Sequence, residues 1–198
     1  MCNLYRLAVP AIKVAGMFSV ELEQQSNAGG EVYPGYPGLV LVNEKLTTMV
    51  WGFPLQLRGK NGQLLKPKPI NNTRDDKLES PFWRASFISR RCLIPMQAFA
   101  EAEGNKGAKT RTWISLPEND VFTCAGVWRD SAEWGRSYSL MMTDANDALN
   151  TVHDRMPVIV DAADRERWLG AGPEEARTLC KPYAKSLSID RTGQAWAG

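Results

Sequence analysis

Leu39-Val40-Leu41-Val42-Asn43-Glu44-Lys45-Leu46-Thr47-Thr48-Met49-Val50-Trp51-Gly52-Phe53 decides the fold class. Leu39–Val42 and Thr47–Phe53 are short runs of β-formers, and Asn43–Glu44 supplies the turn between them, so the stretch reads as a strand pair. Upstream, Ala11, Val14, Ala15, Phe18 and Leu22 recur at helical spacing and predict a helix over about 10–26. Gly- and Pro-rich Asn27–Gly38 reads as the loop that ends it. Downstream, Leu55–Asn72 is polar, basic and Pro-containing, and too long for a simple turn. Leu78–Ile88 holds a short helix interrupted by Pro81. Cys92–Glu101, Thr112–Leu116, Val121–Trp128, Tyr138–Thr143 and Pro157–Val160 are further strand-like runs, with Glu103–Lys109 as a hairpin tip. Asn146–Val152, Asp161–Leu169 and Pro173–Cys180 read as helical, and Gly170 and Gly172 punctuate the last two. Many short strands without a βαβ rhythm predict an α+β fold. One domain over residues 1–198 is expected, a mainly antiparallel curved sheet or barrel with peripheral helices.

The chain of 198 residues is 43% hydrophobic and 23% charged, the balance of a soluble globular protein. No apolar run approaches the ~20 residues of a membrane helix, so no membrane association is expected. Its opening lacks the order of a secretory signal. The four cysteines, Cys2, Cys92, Cys124 and Cys180, show no CxxC and no metal-ligand spacing. No metal or cofactor is expected, Cys92 and Cys124 read as buried core, and a reducing cytoplasmic setting follows. A net charge of +2 says little, but its distribution says more. From Lys45 to Arg74 there is no acidic residue, while Arg58, Lys60, Lys66 and Lys68 fall within that span. Such clustering is either a phosphate-binding footprint or a solvated loop.

Cys2 carries the sharpest chemistry. Once Met1 is removed, Cys2 presents an α-amine and a thiol on adjacent carbons, with reference pKa values of roughly 7.7–8.0 and 8.5. The amine condenses with an aldehyde to a Schiff base, and the thiol then closes a thiazolidine ring. The same pair can instead work hydrolytically, thiolate as nucleophile and amine as base. On this residue alone an incidental cysteine is the simpler reading, and the rest of the sequence turns it. Three further segments supply partners: Ile70-Asn71-Asn72-Thr73-Arg74; Arg91-Cys92-Leu93-Ile94-Pro95 leading to Phe99-Ala100-Glu101-Ala102; and Val152-His153-Asp154-Arg155-Met156-Pro157, which holds the sole histidine. Singly, Asn72 reads as a turn residue, Glu101 as an outward strand residue and His153 as a core or cap histidine. Together with Cys2 they suffice for imine chemistry: a nucleophile, a polar orienter, an acid/base carboxyl and an imidazole.

In order along the chain, Met1-Cys2, Trp51-Gly52, Asn72-Thr73-Arg74, Arg91–Pro95 with Phe99 and Glu101, Ala125-Gly126-Val127-Trp128 and His153-Asp154-Arg155-Met156-Pro157 resemble the SOS response-associated peptidase family, also called the abasic-site-processing or SRAP domain. The resemblance implies a protein of the DNA damage response that binds single-stranded DNA containing an abasic site and crosslinks to it through the N-terminal cysteine. It assigns catalytic roles to Cys2, Asn72, Glu101 and His153, places Arg74 and Arg155 on flanking phosphates, and implies an autopeptidase activity. The basic stretch with Arg58, Lys60, Lys66 and Lys68 is expected to face the DNA. A monomer is expected, nucleoid-associated when bound to DNA. This chain departs from the family in three places: Cys2-Asn3-Leu4 stands for the commoner Cys-Gly-Arg, Glu101 lies between Ala100 and Ala102 where the family often has aromatic residues, and Pro54-Leu55-Gln56-Leu57 stands for a base-stacking Pro-Gly-Trp-Trp wedge. Two rival functions share these residues, an N-terminal-nucleophile cysteine hydrolase and a noncatalytic single-strand binding module.

Overall fold

The structure, a computed structural model, describes residues 2–23 and 30–196. Its first half runs β1 (Tyr5–Leu7), α1 (Ala11–Phe18), β2 (Glu21–Leu22), β3 (Gly30–Val32), β4 (Pro37–Val42), β5 (Lys45–Trp51), β6 (Phe53–Leu55), β7 (Lys68–Ile70), β8 (Asn72–Arg74) and α2 (Arg84–Ser89). The second runs β9 (Arg91–Met96), β10 (Ala98–Glu103), β11 (Thr110–Ser115), β12 (Phe122–Ser131), β13 (Gly135–Asp144), β14 (Arg155–Pro157), β15 (Ile159–Val160), α3 (Arg165–Gly170), α4 (Pro173–Arg177) and β16 (Ser188–Ala195).

The β4–β5 hairpin turns at Asn43 and Glu44, whose φ angles of 49° and 59° make the tight turn that keeps Val42 opposite Lys45. From it the sheet continues β4, β9, β12, β13 by antiparallel pairing, and β13 then returns to β5 in parallel through Ser137–Val50 and Tyr138–Trp51. Those five strands therefore close into a barrel with no free edge in the ring. A second sheet, ordered β16-β11-β10-β1-β3, covers one flank. Side chains of both sheets share one core, in which Tyr5, Val32, Phe99 and Ile114 meet Val40, Trp51, Cys92 and Tyr138. The alternate residues of the same barrel strands, Leu39, Leu41, Leu93 and Val127, face a second core with Val14, Phe87 and Trp168 from the helices. Burial on both faces is why Leu39–Val42 and Cys92–Met96 read as unbroken apolar runs. Cys92 and Cys124 are fully buried and unbridged.

Two local devices hold this arrangement. Tyr5 and Tyr138 share a hydroxyl hydrogen bond of 2.5 Å inside the core, and a Cβ at Gly38 would fall 2.2 Å from both oxygens, so only glycine fits beside them. Arg91, 7% exposed, donates to the carbonyls of Phe87 and Ile88 at the end of α2 and to those of Trp168 and Ala171 at the end of α3. Helix C-termini leave carbonyls without intrahelical donors and carry partial negative charge, so one guanidinium satisfies two of them at once.

Several elements differ from the sequence expectation. The helix stops at Phe18, where Ser19 adopts a left-handed φ of 53° and the N–H groups of Ser19 and Val20 close back on Gly16 and Ala15; Leu22 is already in a strand. The loop expected over Asn27–Gly38 holds β3 and the start of β4, its first residues, 27–29, lying outside those described. Cys92–Glu101 is two strands broken at Gln97. Asn146–Val152 is a run of turns, with one bond from Asn150 N–H back to Asn146, instead of a helix. Leu55–Asn72 is largely a hairpin arm: β6 pairs β7 with Pro54 opposite Pro69, and Arg58 bridges Leu64 farther out.

Candidate active site

β1 carries Cys2 to the inner side of the five-stranded sheet. Tyr5 pairs Phe99 on β10, and the N–H of Ala100 donates to Leu4 O at 2.9 Å. The Cys2 side chain is fully buried, its Sγ 3.5 Å from Leu4 O. Burial pushes the thiol well above its ordinary value, and the nearby Glu101 charge adds to the effect. A thiolate is therefore disfavoured at neutral pH.

The carbonyl of Cys2 is held by two side-chain amides. Asn72 Nδ2 donates at 2.8 Å and Asn71 Nδ2 at 2.9 Å, and Asn71 Nδ2 also reaches Asn3 Oδ1 at 3.0 Å. β8 places Asn72 there by parallel pairing opposite Leu140. Asn71 is pinned through its own carbonyl, which accepts from Trp51 Nε1 and from Leu140 N–H, each at 2.9 Å. Asn72 Oδ1 is buried and receives no hydrogen bond among the described residues. Asn71 and its bond to Asn3 were not singled out from the sequence, although the amide doublet was visible there.

Glu101 lies on β10, 3% exposed, opposite Thr112. It shares a strand face with Phe99 and so points inward, not outward. Burial raises its carboxyl to about 7. Two residues on, Glu103 is on the same face, and Arg191 of β16 pairs with it at 3.1 Å and donates to Thr151 at 3.4 Å. That link ties the Glu101 strand to the turn that carries His153, and the Asp154 charge is felt at Glu101. His153 is half-buried, and its Nδ1 lies 2.9 Å from both the Arg155 N–H and Asp154 Oδ1. The backbone donor is fixed and burial lowers the imidazole pKa, so the neutral form with its proton on Nε2 fits best. The structure thus gathers Cys2, Asn72 and Glu101 directly and brings the His153 turn to the same face.

The cationic residues divide into two groups. Arg74 forms a two-pronged pair with Asp76, at 2.9 and 2.7 Å, and Arg155 bridges Asp75 at 3.2 Å and Asp144 at 3.4 Å. Both are already engaged with carboxylates. Arg58, Lys60, Lys66 and Lys68 are exposed on the arm; Arg58 donates to Gly62 O, and the three lysines make no ion pair among the described residues.

Glu101 gives a pH prediction. Its folded pKa is raised from 4.5 to about 7, so between those values the folded state keeps a proton that the unfolded chain has lost. Stability should fall as pH rises through that window. Glu101→Gln is expected to flatten this loss and to be more stable than the parent at pH 8 by roughly 1–3 kcal/mol. Urea titrations at pH 5 and pH 8 decide it; identical pH slopes for both proteins would mean that the folded carboxyl ionises normally.

The family model described as SOS response associated peptidase (SRAP) matches residues 1–194. The chain is 27% identical over 203 aligned residues to the abasic site processing protein YoqW of Bacillus subtilis, covering 92% of this chain and 88% of that one. It is also 27% identical over 161 residues to the abasic site processing protein HMCES of Xenopus tropicalis, covering 69% and 48% of the two chains. Solved proteins from Bacteroides thetaiotaomicron and Bordetella bronchiseptica superpose with a TM-score of 0.80 each, at 20% identity, covering 96% of this chain and 91% and 99% of theirs. Those two likenesses concern the fold.

Proposed function

The chain belongs to the SOS response associated peptidase family, and from that premise we propose that it captures abasic sites in single-stranded DNA as covalent adducts of Cys2. The observation that carries this is the pair of amides on the Cys2 carbonyl, which fixes the residue bearing amine and thiol beside a buried carboxyl. Met1 is first removed, by the protein itself or by an aminopeptidase. The ring-opened deoxyribose presents a C1 aldehyde, and the Cys2 amine adds to it. The carbinolamine loses water to give an imine. The thiol sulfur then bonds to the imine carbon while its proton passes to nitrogen, closing the thiazolidine with one water released overall.

Each neighbour has a task in that sequence. Glu101, with a pKa near neutrality, donates a proton to the departing hydroxyl and can take one back on reversal. Neutral His153, with its proton on Nε2, donates that proton to the ring oxygen as the sugar ring opens. Asn72 Oδ1, an acceptor with no donor among the described residues, receives the Cys2 amine or a sugar hydroxyl. The arm lysines and Arg58 hold phosphates, joined by Arg74 and Arg155 as these exchange carboxylates for phosphate. A thiolate-first hydrolase fits less well, because the thiol is buried and its ionisation suppressed.

Intact-mass measurement after incubation with abasic single-stranded DNA tests the proposal. An adduct of protein plus DNA minus one water is expected without any reductant, and none with the same strand carrying an intact base. Noncovalent binding alone would leave a binding module in its place.

A further inference from the structure

We propose that Arg129 is the positioning residue of the basic arm, clamping its root to the barrel so that its cations stand over the strand that Cys2 attacks. The proposal rests on the DNA reading above for its consequence, and on geometry for the clamp itself. Arg129 is half-buried at the rim of β12. Its guanidinium carbon lies 4.2 Å from the ring centre of Phe53 and 4.5 Å from that of Phe82, and its Nη2 reaches Pro54 O at 3.4 Å. Phe53 and Pro54 are the first residues of the arm; Phe82 precedes α2. Phe53 and Phe82 pack in turn on Trp83, at 5.1 and 4.6 Å between ring centres. One cation therefore joins the arm, the barrel and the helix layer through two ring faces.

The rest of the arm has little else to fix its direction. Beyond the root, the hydrogen bonds made by residues 56–65 stay within the arm: Gln56 to Leu65 O, Leu65 N–H to Leu57 O, Gly59 N–H to Gln63 O and Arg58 to Gly62 O. At the other side of the root, Gly52 has a φ of +114°, its N–H bonds Tyr138 O at 2.7 Å, and a Cβ there would come within 2.5 Å of Pro69. Gly52 sets the bend and Arg129 holds it. The return strand β7 leads into Asn71 and Asn72, but these are held from the barrel, Asn71 by Trp51 Nε1 and Leu140 N–H and Asn72 by its pairing opposite Leu140, so the Cys2 carbonyl keeps its donors when the arm swings.

Three measurements on Arg129→Gln, Arg129→Lys and Phe82→Leu test this. Trypsin cleavage after Arg58 and Lys60 reports how often the arm opens, without DNA. Arg129→Gln is expected to be cut roughly tenfold faster there, Phe82→Leu to lie between it and the parent, and Arg129→Lys to recover most of the protection. Noncovalent affinity for abasic single strands should fall about 5–10-fold in Arg129→Gln with a shallower salt dependence, because fewer phosphates are neutralised at once. Capture of glyceraldehyde, a small aldehyde without phosphate, should proceed at the parental rate. Unchanged trypsin cleavage in folded Arg129→Gln and Phe82→Leu overturns the clamp. Faster cleavage with undiminished strand affinity overturns the positioning role. A parent protein that captures glyceraldehyde yet binds no DNA would instead fail the DNA reading while the trypsin result still reports on the clamp.

Discussion

Cys2→Ala is expected to abolish the reductant-independent DNA adduct while still giving a borohydride-trapped one. Alanine keeps the α-amine and is small enough for removal of Met1, so imine formation survives. What disappears is the sulfur that closes the ring, and an imine without ring closure hydrolyses back in water. Adduct yield without reductant should fall at least 100-fold, a loss typical of removing a covalent participant. The same change empties a fully buried thiol position, at a cost of about 1 kcal/mol. That is too little to unfold the protein, and circular dichroism controls for it. A stable adduct from Cys2→Ala in the absence of borohydride would exclude ring closure through sulfur.

Arg91→Leu should lose about 3–5 kcal/mol of stability. Leucine fills much of the space but leaves the carbonyls of Phe87, Ile88, Trp168 and Ala171 without their donor. Removing one partner from a buried, hydrogen-bonded charge site carries a cost of that size. The corresponding fall in Tm is roughly 10 °C for a chain of this length. Chemical denaturation reads it, with the adduct rate at low temperature unchanged because the Arg91 side chain points from the start of β9 into the helix layer, away from Cys2. A loss below about 1 kcal/mol would show that water replaces the guanidinium at these helix ends.

The barrel was legible where chain chemistry and local structure agree. Leu39–Phe53 carries its strands and its turn within fifteen neighbouring residues, and the structure keeps the turn at Asn43–Glu44. β16 was not legible: Ser188–Ala195 is polar and mostly exposed, an outer strand that tertiary pairing with β11 creates. The arm hid behind Pro54 and Pro69, which read as breakers but face each other at the root of a hairpin. At the site, residue chemistry left Asn72, Glu101 and His153 open one by one; the family resemblance singled them out. Asn71 escaped because neighbours on a strand normally point to opposite faces, and it lies just before β8, where that alternation does not yet apply.

The parallel seam between β5 and β13 has a consequence for how the protein comes into being. Strands that meet across so much intervening chain pair late, since the entropy of closing the loop precedes any contact that offsets it. β8, which carries Asn72, hangs on the same strand β13, and Asn71 takes its fixed position from Leu140 on it. The amide fork on Cys2 is thus complete only once that late seam has closed. Asn71 lies 69 residues beyond Cys2 in the chain, so Cys2 is synthesised long before the amides that hold it, and the site is complete only as folding finishes. Refolding followed by capture of dilute abasic single-stranded DNA should show the two rising together, with no fast capture phase preceding the slow one.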